Sequence, residues 1–243
     1  MKKKYLEKIK AAGIHMLISA VVGFLISLLI YKGWYPGILS AAMNVSSVAF
    51  VVLAVDVVLG PLLTFIVFNS NKKSLEIDLA VVGVVQVVAL MMGLHSIYQG
   101  RPVWLVFVED RFEIARYSDI DAEFLKNISV EPSFFKPTWA AVPLMNEKQK
   151  EHMFAEVLKG RSDAAFRPNL YKSVVGQWQE IKIKSINSIE LEKFNSSLKV
   201  GNGLKDENQG HFQWLPLVSP SGSYVIKMGE RVGDLNIVDL RGG

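Results

Sequence analysis

The chain has 243 residues, of which 50% are hydrophobic, with a formal net charge of +4 and no cysteine. The lack of cysteine excludes disulfide bonds, thiolate metal sites and a cysteine nucleophile. Residues 1–98 hold 8 basic and 4 acidic residues, whereas residues 99–243 hold 19 of each. The positive charge therefore belongs to the first part of the chain and is no evidence for a nucleic-acid partner.

Three long apolar runs fill the first hundred residues: Gly13 to Tyr31, Val45 to Phe68 and Ile77 to Tyr98. A hydrocarbon core about 30 Å thick is crossed by roughly 20 apolar residues in a helix. Backbone groups in lipid must find their hydrogen bonds within the spanning segment, and the runs lack the alternation of barrel strands. The sequence therefore predicts an integral membrane protein with three transmembrane helices.

Lysines predict the orientation of these helices. One lysine, Lys32, lies between the first and second runs, whereas Lys72 and Lys73 lie between the second and third, and five precede the first: Lys2, Lys3, Lys4, Lys8 and Lys10. Positive loops stay in the cytoplasm. We therefore expect a cytoplasmic N-terminus (1–12), a three-helix transmembrane domain (13–98) and a domain on the opposite side (99–243). Aromatic residues follow the first run in place of a cleavage site, so we expect it to be retained.

Residues 99–243 are long enough for one domain with its own core, and their local patterns predict an α+β fold. Pro102 to Val108 and Phe112 to Tyr117 flank Glu109-Asp110-Arg111 and predict a β-hairpin directly after the third helix. Further strands are predicted around the turn Pro220-Ser221-Gly222, over Phe212 to Val218, Tyr224 to Met228 and Leu235 to Leu240.

Two helices are predicted in the same domain. Asn146 can cap a helix that runs through Leu158, with Gly160 at the stop position. Its apolar residues are predicted to share one face: Met153, Phe154, Val157 and Leu158. A second helix is predicted to begin near Ser188 and to carry Ile189, Leu191 and Phe194.

Asp56 is the twelfth residue of the 24-residue second run, close to the middle of the bilayer. A charged aspartate there costs about 2.5–3.5 kcal/mol on insertion scales, so its carboxyl should be protonated, paired or turned toward protein. Two interpretations stay open: a polar contact with a partner helix, and an internal hydrogen bond that orients the three helices. Gln86 is the internal candidate, because the two depths differ by about 4.5 Å at 1.5 Å per residue.

Gly60 and Pro61 follow on the same run. Proline removes a backbone donor and clashes with the carbonyl of Val57, which predicts a kink. Gly60 lies one turn from Asp56, where the missing side chain allows another helix to approach, and Thr64 continues that face.

Small and polar residues form a stripe along the first run, one every four residues: His15, Ser19, Gly23 and Ser27. Residues of this kind promote close contact between helices in lipid. The stripe therefore predicts helix packing, either within this chain or against a helix of a partner.

Several segments of the chain carry a resemblance to a known family. They are Val55-Asp56-Val57-Val58-Leu59-Gly60-Pro61-Leu62-Leu63-Thr64, Val67-Phe68, Lys73-Ser74-Leu75, Asp78-Leu79, Ala12-Gly13-Ile14-His15, Arg101-Pro102-Val103 and Asp110-Arg111-Phe112. Through them, residues 10 to 117 resemble the bacterial type IV pilin accessory proteins of the TfpX/TfpZ kind. Beyond that range the likeness is limited to Arg167-Pro168 with Tyr171, and to Trp214-Leu215-Pro216-Leu217.

The resemblance implies an inner-membrane protein with a periplasmic C-terminal domain that assists a cognate type IV major pilin in reaching or staying in the assembly machine. Such pilins hold an N-terminal helix in the membrane that bears an amino terminus and a nearby glutamate, and Asp56 is a candidate partner for either. Other inner-membrane proteins of pilus assembly and the lipid bilayer are further expected partners. No nucleic acid and no cofactor are expected.

Motifs of catalysis are missing from the sequence. There is no zinc-protease motif, nucleophile elbow or phosphate-binding loop, and Asp56 alone cannot form the carboxylate pair of an aspartyl protease. His152 and His211 stand apart from other ligand types, and Arg101 and the Asp110-Arg111 pair are explained by a hairpin turn and by contact with anionic headgroups. We expect no catalytic or metal-binding residues.

Two functions remain: a non-enzymatic assembly factor, and a component of a pilin-modifying transferase with its site in the C-terminal domain. A tail pocket with clustered acids and histidines would favour the enzyme, whereas an apolar groove would favour a binding module.

Overall fold

The computed structural model describes residues 2–187, 191, 213–222 and 224–240. The chain divides into two compact units, which are built from discontinuous segments. The first unit comprises Met1–Gly33 and Asn44–Gln99, and the second comprises Trp34–Met43 and Gly100–Gly243. The units do not report on cellular compartments, so the expected division into a cytoplasmic N-terminus (1–12), a transmembrane domain (13–98) and a periplasmic domain (99–243) stays a prediction.

Helices make up the first unit and part of the second. They are α1 (Lys2–Leu28), α2 (Leu39–Ala42), α3 (Val45–Ala54), α4 (Gly60–Val67), α5 (Leu75–Gln99), α6 (Glu147–Leu158) and α7 (Trp178–Lys184). π-Helical segments continue α1 over Leu29–Trp34 and join α3 to α4 over Val55–Leu59.

Three helical stretches are long and apolar enough to cross a membrane: Lys3–Trp34, Val45–Val67 and Leu75–Gln99. We refer to them as span 1, span 2 and span 3. They confirm the three predicted transmembrane helices. Span 1 begins more than a turn before its predicted start at Gly13, whereas the other ends lie within a turn of the predicted ones. The chain is thus a three-span membrane protein with a following α+β domain.

The disturbance predicted at Pro61 takes the form of a π-helical turn. The segment Val55–Leu59 is π-helical and ends immediately before Gly60 and Pro61. A π-turn shifts backbone hydrogen bonds from the fourth to the fifth residue along the chain, and such turns occur where a helix accommodates an irregularity. Asp56 lies inside this turn, so its backbone environment differs from that of a regular helix.

The described strands of the second unit form one mixed sheet. They are β1 (Pro102–Val108), β2 (Arg111–Arg116), β3 (Thr138–Ala141), β4 (Lys172–Ser173), β5 (Ile186–Asn187), β6 (Gln213–Val218), β7 (Tyr224–Met228) and β8 (Leu235–Asp239). Their order is β4-β3-β1-β2-β6-β7-β8, with β5 paired to β6. Strand β1 pairs in parallel with β3, and β2 with β6, while the other pairs are antiparallel.

Strand β1 lies at the centre of the core, and each of its seven residues is buried. Leu105 and Phe107 pack into one hydrophobic cluster with α7, whereas Trp104 and Val106 pack into a second cluster with Tyr171. Alternate residues therefore serve opposite faces of the sheet. Burial on both faces explains why the sequence of β1 is apolar throughout instead of alternating.

The predicted hairpin and C-terminal strands are confirmed within the described residues, as is the helix that Asn146 caps. Asn146 accepts a hydrogen bond from the backbone of Gln149, whose side chain returns one to Asn146. The four apolar residues of α6 share one side of the helix, as predicted, but they differ in burial: Met153 and Val157 are half-buried, whereas Phe154 and Leu158 are 65% and 72% exposed.

Two of the described α-helices, α2 and α7, were not predicted. Helix α7 buries Trp178 and Ile181 against the sheet, but its seven residues are too few for the sequence pattern to reveal a period. The helix predicted to begin near Ser188 falls, apart from Leu191, outside the described residues, and so does His211.

The segment between spans 1 and 2 is part of the second unit. Its short helix α2 packs Leu39 and Ala42 into the same cluster as Phe107 of β1 and Ile181 of α7. Ser221, in the turn between β6 and β7, donates from its hydroxyl to the carbonyls of Ala41 and Ala42, at 2.8 and 2.9 Å. The C-terminal end of α2 is thereby capped, which satisfies carbonyls that a helix end leaves open.

Arg101 corrects an expectation from the sequence. Its side chain is 4% exposed and its Nη1 donates to the carbonyls of Ser133 and Phe134, both at 3.1 Å. The guanidinium also lies over the rings of Tyr117 and Phe134. Arg101 thus holds a loop of the domain from inside, and the predicted contact with lipid headgroups is wrong.

Arg167 is a second buried arginine of the domain. It donates to the carbonyl of Ser162 at 2.7 Å and to Glu156 at 2.5 Å, and its guanidinium lies 5.0 Å from the ring centre of Phe124. The hydrogen bond from Arg167 lowers the pKa of the Glu156 carboxyl. Tyr171 lies in the same region and donates to the carbonyl of Ala165 at 2.5 Å. Arg167 and Tyr171, two residues of the resemblance noted above, thus hold neighbouring backbone within the domain.

Candidate functional site: an intramembrane polar cluster

Asp56 contacts polar side chains of both other spans. Nε2 of Gln86, on span 3, lies 3.3 Å from Oδ1 of Asp56 and 3.3 Å from its backbone carbonyl. The Ser19 side chain, on span 1, lies beside the Asp56 carboxyl. Asp56 is 9% exposed and Ser19 is 4% exposed. Gln86, the internal candidate named from the helix depths, is therefore in contact with Asp56, whereas a contact with a partner helix stays a prediction.

Gly60 gives Gln86 the room it needs. A Cβ atom placed on Gly60 would overlap the side-chain amide of Gln86, so the amide occupies space that any other residue would fill. Gly60 and Pro61 are both buried. The Asp-x-x-x-Gly spacing puts the acceptor and the gap on one face of span 2, one turn apart, and Gln86 uses both.

A second polar contact lies toward the end of span 2. Nδ1 of His15 and Oγ1 of Thr64 are 2.6 Å apart, and Thr64 is 4% exposed. Like Ser19, His15 belongs to the stripe of span 1, so the stripe faces span 2 at both positions. We call His15, Ser19, Asp56, Thr64 and Gln86 the intramembrane cluster.

The remaining residues of the stripe play other parts. Gly23 faces span 2, where an added Cβ would be in ordinary contact with Leu53 and Val57 at 3.5 and 3.7 Å. Ser27 donates to the carbonyl of Gly23, one turn earlier in its own helix, at 2.8 Å. The structure therefore joins His15, Ser19 and Gly23 to span 2, whereas the described hydrogen bond of Ser27 stays within span 1.

An apolar groove opens beside the cluster, between spans 2 and 3. Its volume is about 230 Å³, and it is lined by Asp56, Gln86 and eight aliphatic residues: Val51, Val52, Val55, Leu59, Leu63, Val85, Ala89 and Leu90. Within the described part of the chain, the buried Oε1 of Gln86 has no hydrogen-bond donor. We call this cavity the span groove. Its lining is apolar except for the Asp56 carboxyl and the Gln86 amide.

The chemistry of the cluster favours orientation of helices. Asp56 is the one ionisable residue of span 2, and its neighbours supply a hydroxyl and an amide, which hold a carboxyl in place. Among the described residues, no group of three or more histidine, cysteine, aspartate or glutamate side chains could hold a metal ion. The arrangement can fix helix packing and offer hydrogen bonds to a further helix.

The second unit carries a larger groove that no sequence pattern indicated. It has a volume of about 700 Å³. Its lining comes from α6, from the segment between β3 and α6, and from residues 169–172 at the start of β4. Met145, Met153 and Leu170 are among its apolar residues, and its basic residues are Lys148, His152 and Lys172. None of the described residues that line it is an aspartate or a glutamate. We call it the domain groove.

Comparison with known proteins gives consistent matches. A family model described as fimbrial assembly protein FimB matches residues 3–37. The fimbrial assembly protein of Dichelobacter nodosus serogroup I is 30% identical over 187 residues, covering 74% of this chain and 72% of that protein. Its counterpart from serogroup E1 is 31% identical with the same coverage, and that from serogroups C1 and C2 is 37% identical over 121 residues, covering 49% of this chain and 92% of the relative. No solved structure matches the chain.

The close approach at Gly60 predicts that Gly60→Ala separates spans 2 and 3, since overpacking of this kind costs about 1–3 kcal/mol. The matched control is Gly83→Ala on span 3, where an added Cβ would meet nothing within 4 Å. The readout is a disulfide between Val52→Cys and Gly93→Cys. A Cβ on Gly93 would lie 3.3 Å from that of Val52, near the separation of about 3.8 Å in disulfides, and the chain has no cysteine of its own.

We expect oxidation in membranes to cross-link the pair efficiently in the parent and in Gly83→Ala, and less in Gly60→Ala. Equal cross-linking in Gly60→Ala and Gly83→Ala would show that the missing side chain at residue 60 is not needed for this packing.

Proposed function

The chain belongs to the family of fimbrial assembly proteins, which are accessory proteins of type IV pili, and on that premise we propose that it binds a cognate type IV major pilin. In this proposal it is a non-enzymatic factor of the bacterial inner membrane that assists assembly or stability of the pilin. Its membrane helices contact the membrane helix of the pilin, and its C-terminal domain contacts the part of the pilin outside the membrane.

The span groove is the observation that carries this proposal. Its aliphatic walls suit the side chains of another transmembrane helix, which packs in lipid through shape and hydrogen bonds. Oε1 of Gln86 is buried there without a donor in the described structure, and a buried acceptor left open costs about 1–3 kcal/mol. A helix that brings an N–H donor to this depth would satisfy it.

The chemistry of a pilin helix fits these requirements. The resemblance described above implies a membrane helix that bears an amino terminus and a nearby glutamate. An amino terminus can donate to Oε1 of Gln86 and to the Asp56 carboxyl, which lie in the same groove. The intramembrane cluster would then have two tasks: it holds the three spans together through Ser19 and Gln86, and it presents acceptors to the incoming helix.

The domain groove supports binding more than catalysis. Its lining combines apolar side chains with lysines and one histidine, which suits a peptide segment that has apolar residues and a carboxylate. The carboxyl near His152 that the structure shows is Glu156, which is held by Arg167 and does not line the groove. The transferase alternative has no feature of the described structure in its favour.

Photo-crosslinking tests the proposed partner at both grooves. A photoreactive residue at Leu63 probes the span groove, and one at Leu144 probes the domain groove. The matched controls are Val84, which is 63% exposed on another face of span 3, and Val232, which is 56% exposed on the domain. In cells that produce the cognate pilin, we expect a pilin adduct from Leu63 and from Leu144 but not from the controls.

The two arms separate the parts of the proposal. An adduct from Leu63 alone would restrict the pilin contact to the membrane, and one from Leu144 alone would restrict it to the domain. If neither position captures the pilin while the controls behave as expected, direct pilin binding through these grooves is wrong.

Substitutions of Asp56 test whether its role is hydrogen bonding. Asp56→Asn keeps an oxygen that accepts from Gln86, whereas Asp56→Leu leaves the Gln86 amide without this acceptor, at about 1–3 kcal/mol. At equal protein levels, we expect pili to form with Asp56→Asn and to be lost or strongly reduced with Asp56→Leu, as measured by counting surface pili. If asparagine is as damaging as leucine, an ionised carboxyl is required; if both variants make normal pili, Asp56 has no role in function.

The lysine distribution motivates the proposed orientation, with the N-terminus in the cytoplasm and the C-terminal domain in the periplasm. A reporter that is active only in the cytoplasm should stay silent when fused after Gly243. The same reporter inserted after Asn71, in the exposed turn between spans 2 and 3, should be active. The reverse pair of results would mean that the chain is inserted the other way.

A further inference from the structure

Two exposed phenylalanines form the tip of a turn in the second unit. Phe134 is 52% exposed and Phe135 is 55% exposed, and their rings stack edge to face with centroids 4.9 Å apart. The neighbouring residues from Glu131 to Lys136 are exposed as well. Large aromatic side chains held together at a surface mark a site of interaction. We call residues 133–136 the phenylalanine turn.

The turn is held in shape from within. The Ser133 hydroxyl accepts hydrogen bonds from the backbone N–H groups of Phe135 and Lys136, at 3.3 and 3.5 Å. From below, the buried Arg101 donates to the carbonyls of Ser133 and Phe134. Because these contacts fix the backbone, the two rings point outward as part of a defined structure.

Trp34 and Arg101, which support the turn, lie next to the ends of two spans. Trp34 is the last residue of span 1, and its ring lies 6.2 Å from that of Phe134, centroid to centroid. Arg101 is the second residue after span 3. Trp34 and Arg101 both belong to the second unit. Trp34 and Arg101 each lie within two residues of a span end, so the contacts that they make with Phe134 keep the phenylalanine turn near the place where the chain leaves the bilayer.

We propose that the phenylalanine turn is an interfacial anchor that inserts Phe134 and Phe135 among the lipid headgroups and upper acyl chains. Aromatic residues concentrate at this level of the bilayer. Lys136, next to the pair, can extend its ammonium group toward lipid phosphates while its aliphatic part stays with the rings. Trp34, which is 4% exposed, supports Phe134 from inside the domain, although it lies a hundred positions earlier in sequence.

This inference does not depend on the partner or on the orientation of the chain, because span 1 and span 3 end at the same surface in either orientation. A protein partner is the other possible occupant of exposed aromatics. The connection to two span ends favours lipid, since it brings the turn to the bilayer whether a partner is present or not.

Spin labelling of the full chain tests the anchor. The chain has no cysteine, so Phe135→Cys gives a single labelled site, and Phe154→Cys on α6, 65% exposed, is the matched control. The labelled protein is placed in vesicles of phosphatidylethanolamine and phosphatidylglycerol without any other protein. Collisions of the label with oxygen, which concentrates in lipid, are compared with collisions with a water-soluble nickel complex.

We expect the ratio of oxygen to nickel collisions to be several-fold higher at residue 135 than at residue 154. A second label, at Lys136→Cys, reports depth with both phenylalanines present, and its ratio should fall toward that of residue 154 when Phe134→Ser and Phe135→Ser are added. Equal nickel access at residues 135, 136 and 154 would overturn the proposal, and so would a difference that appears only when pilin is included in the vesicles.

Discussion

A carboxyl group in the middle of a bilayer needs hydrogen-bond donors, and this requirement organises the membrane part of the protein. Gln86 of span 3 donates to Asp56, and the buried Ser19 of span 1 lies beside the same carboxyl. Because these two side chains come from different helices, the surroundings of one carboxyl help to determine which faces of three helices meet. Gly60 is a consequence of the same requirement, since the Gln86 amide reaches Asp56 only through the space that glycine leaves open.

Local features of the sequence predicted much of this arrangement. Length and apolarity define the spans because a helix in lipid satisfies its own backbone, and the contact between Asp56 and Gln86 followed from their depths in antiparallel neighbouring helices. Strands such as β1 and β7 were predicted because β-branched and aromatic runs are local signals. The π-helical turn at Asp56 was not, since proline predicts a disturbance of the helix without defining its form.

Long-range packing accounts for what the sequence did not predict. No sequence pattern pointed to a role in the core for the segment between spans 1 and 2, but Leu39 and Ala42 enter the core of the second unit, and their partners lie more than sixty residues away in sequence. Arg101 was assigned to headgroups because it follows a span, yet the loop that buries it comes thirty-two residues later. The helical period placed Phe154 on the apolar face of α6, but a period gives a direction and does not tell whether anything packs there. The domain groove likewise exists only through contacts between distant segments.

The discontinuous composition of the second unit has a consequence for how such a protein recognises its surroundings. The chain passes between the two units at residues 33/34, 43/44 and 99/100, and each of these points lies within two residues of the end of a span. Trp34 and Arg101 lie beside two of these points and are buried inside the domain, where Arg101 donates to the backbone of the phenylalanine turn. The lining of the domain groove includes neither these two residues nor those of the turn. In the proposals made above, lipid contact and partner contact therefore fall to different side chains, so that either set can be changed without altering the other.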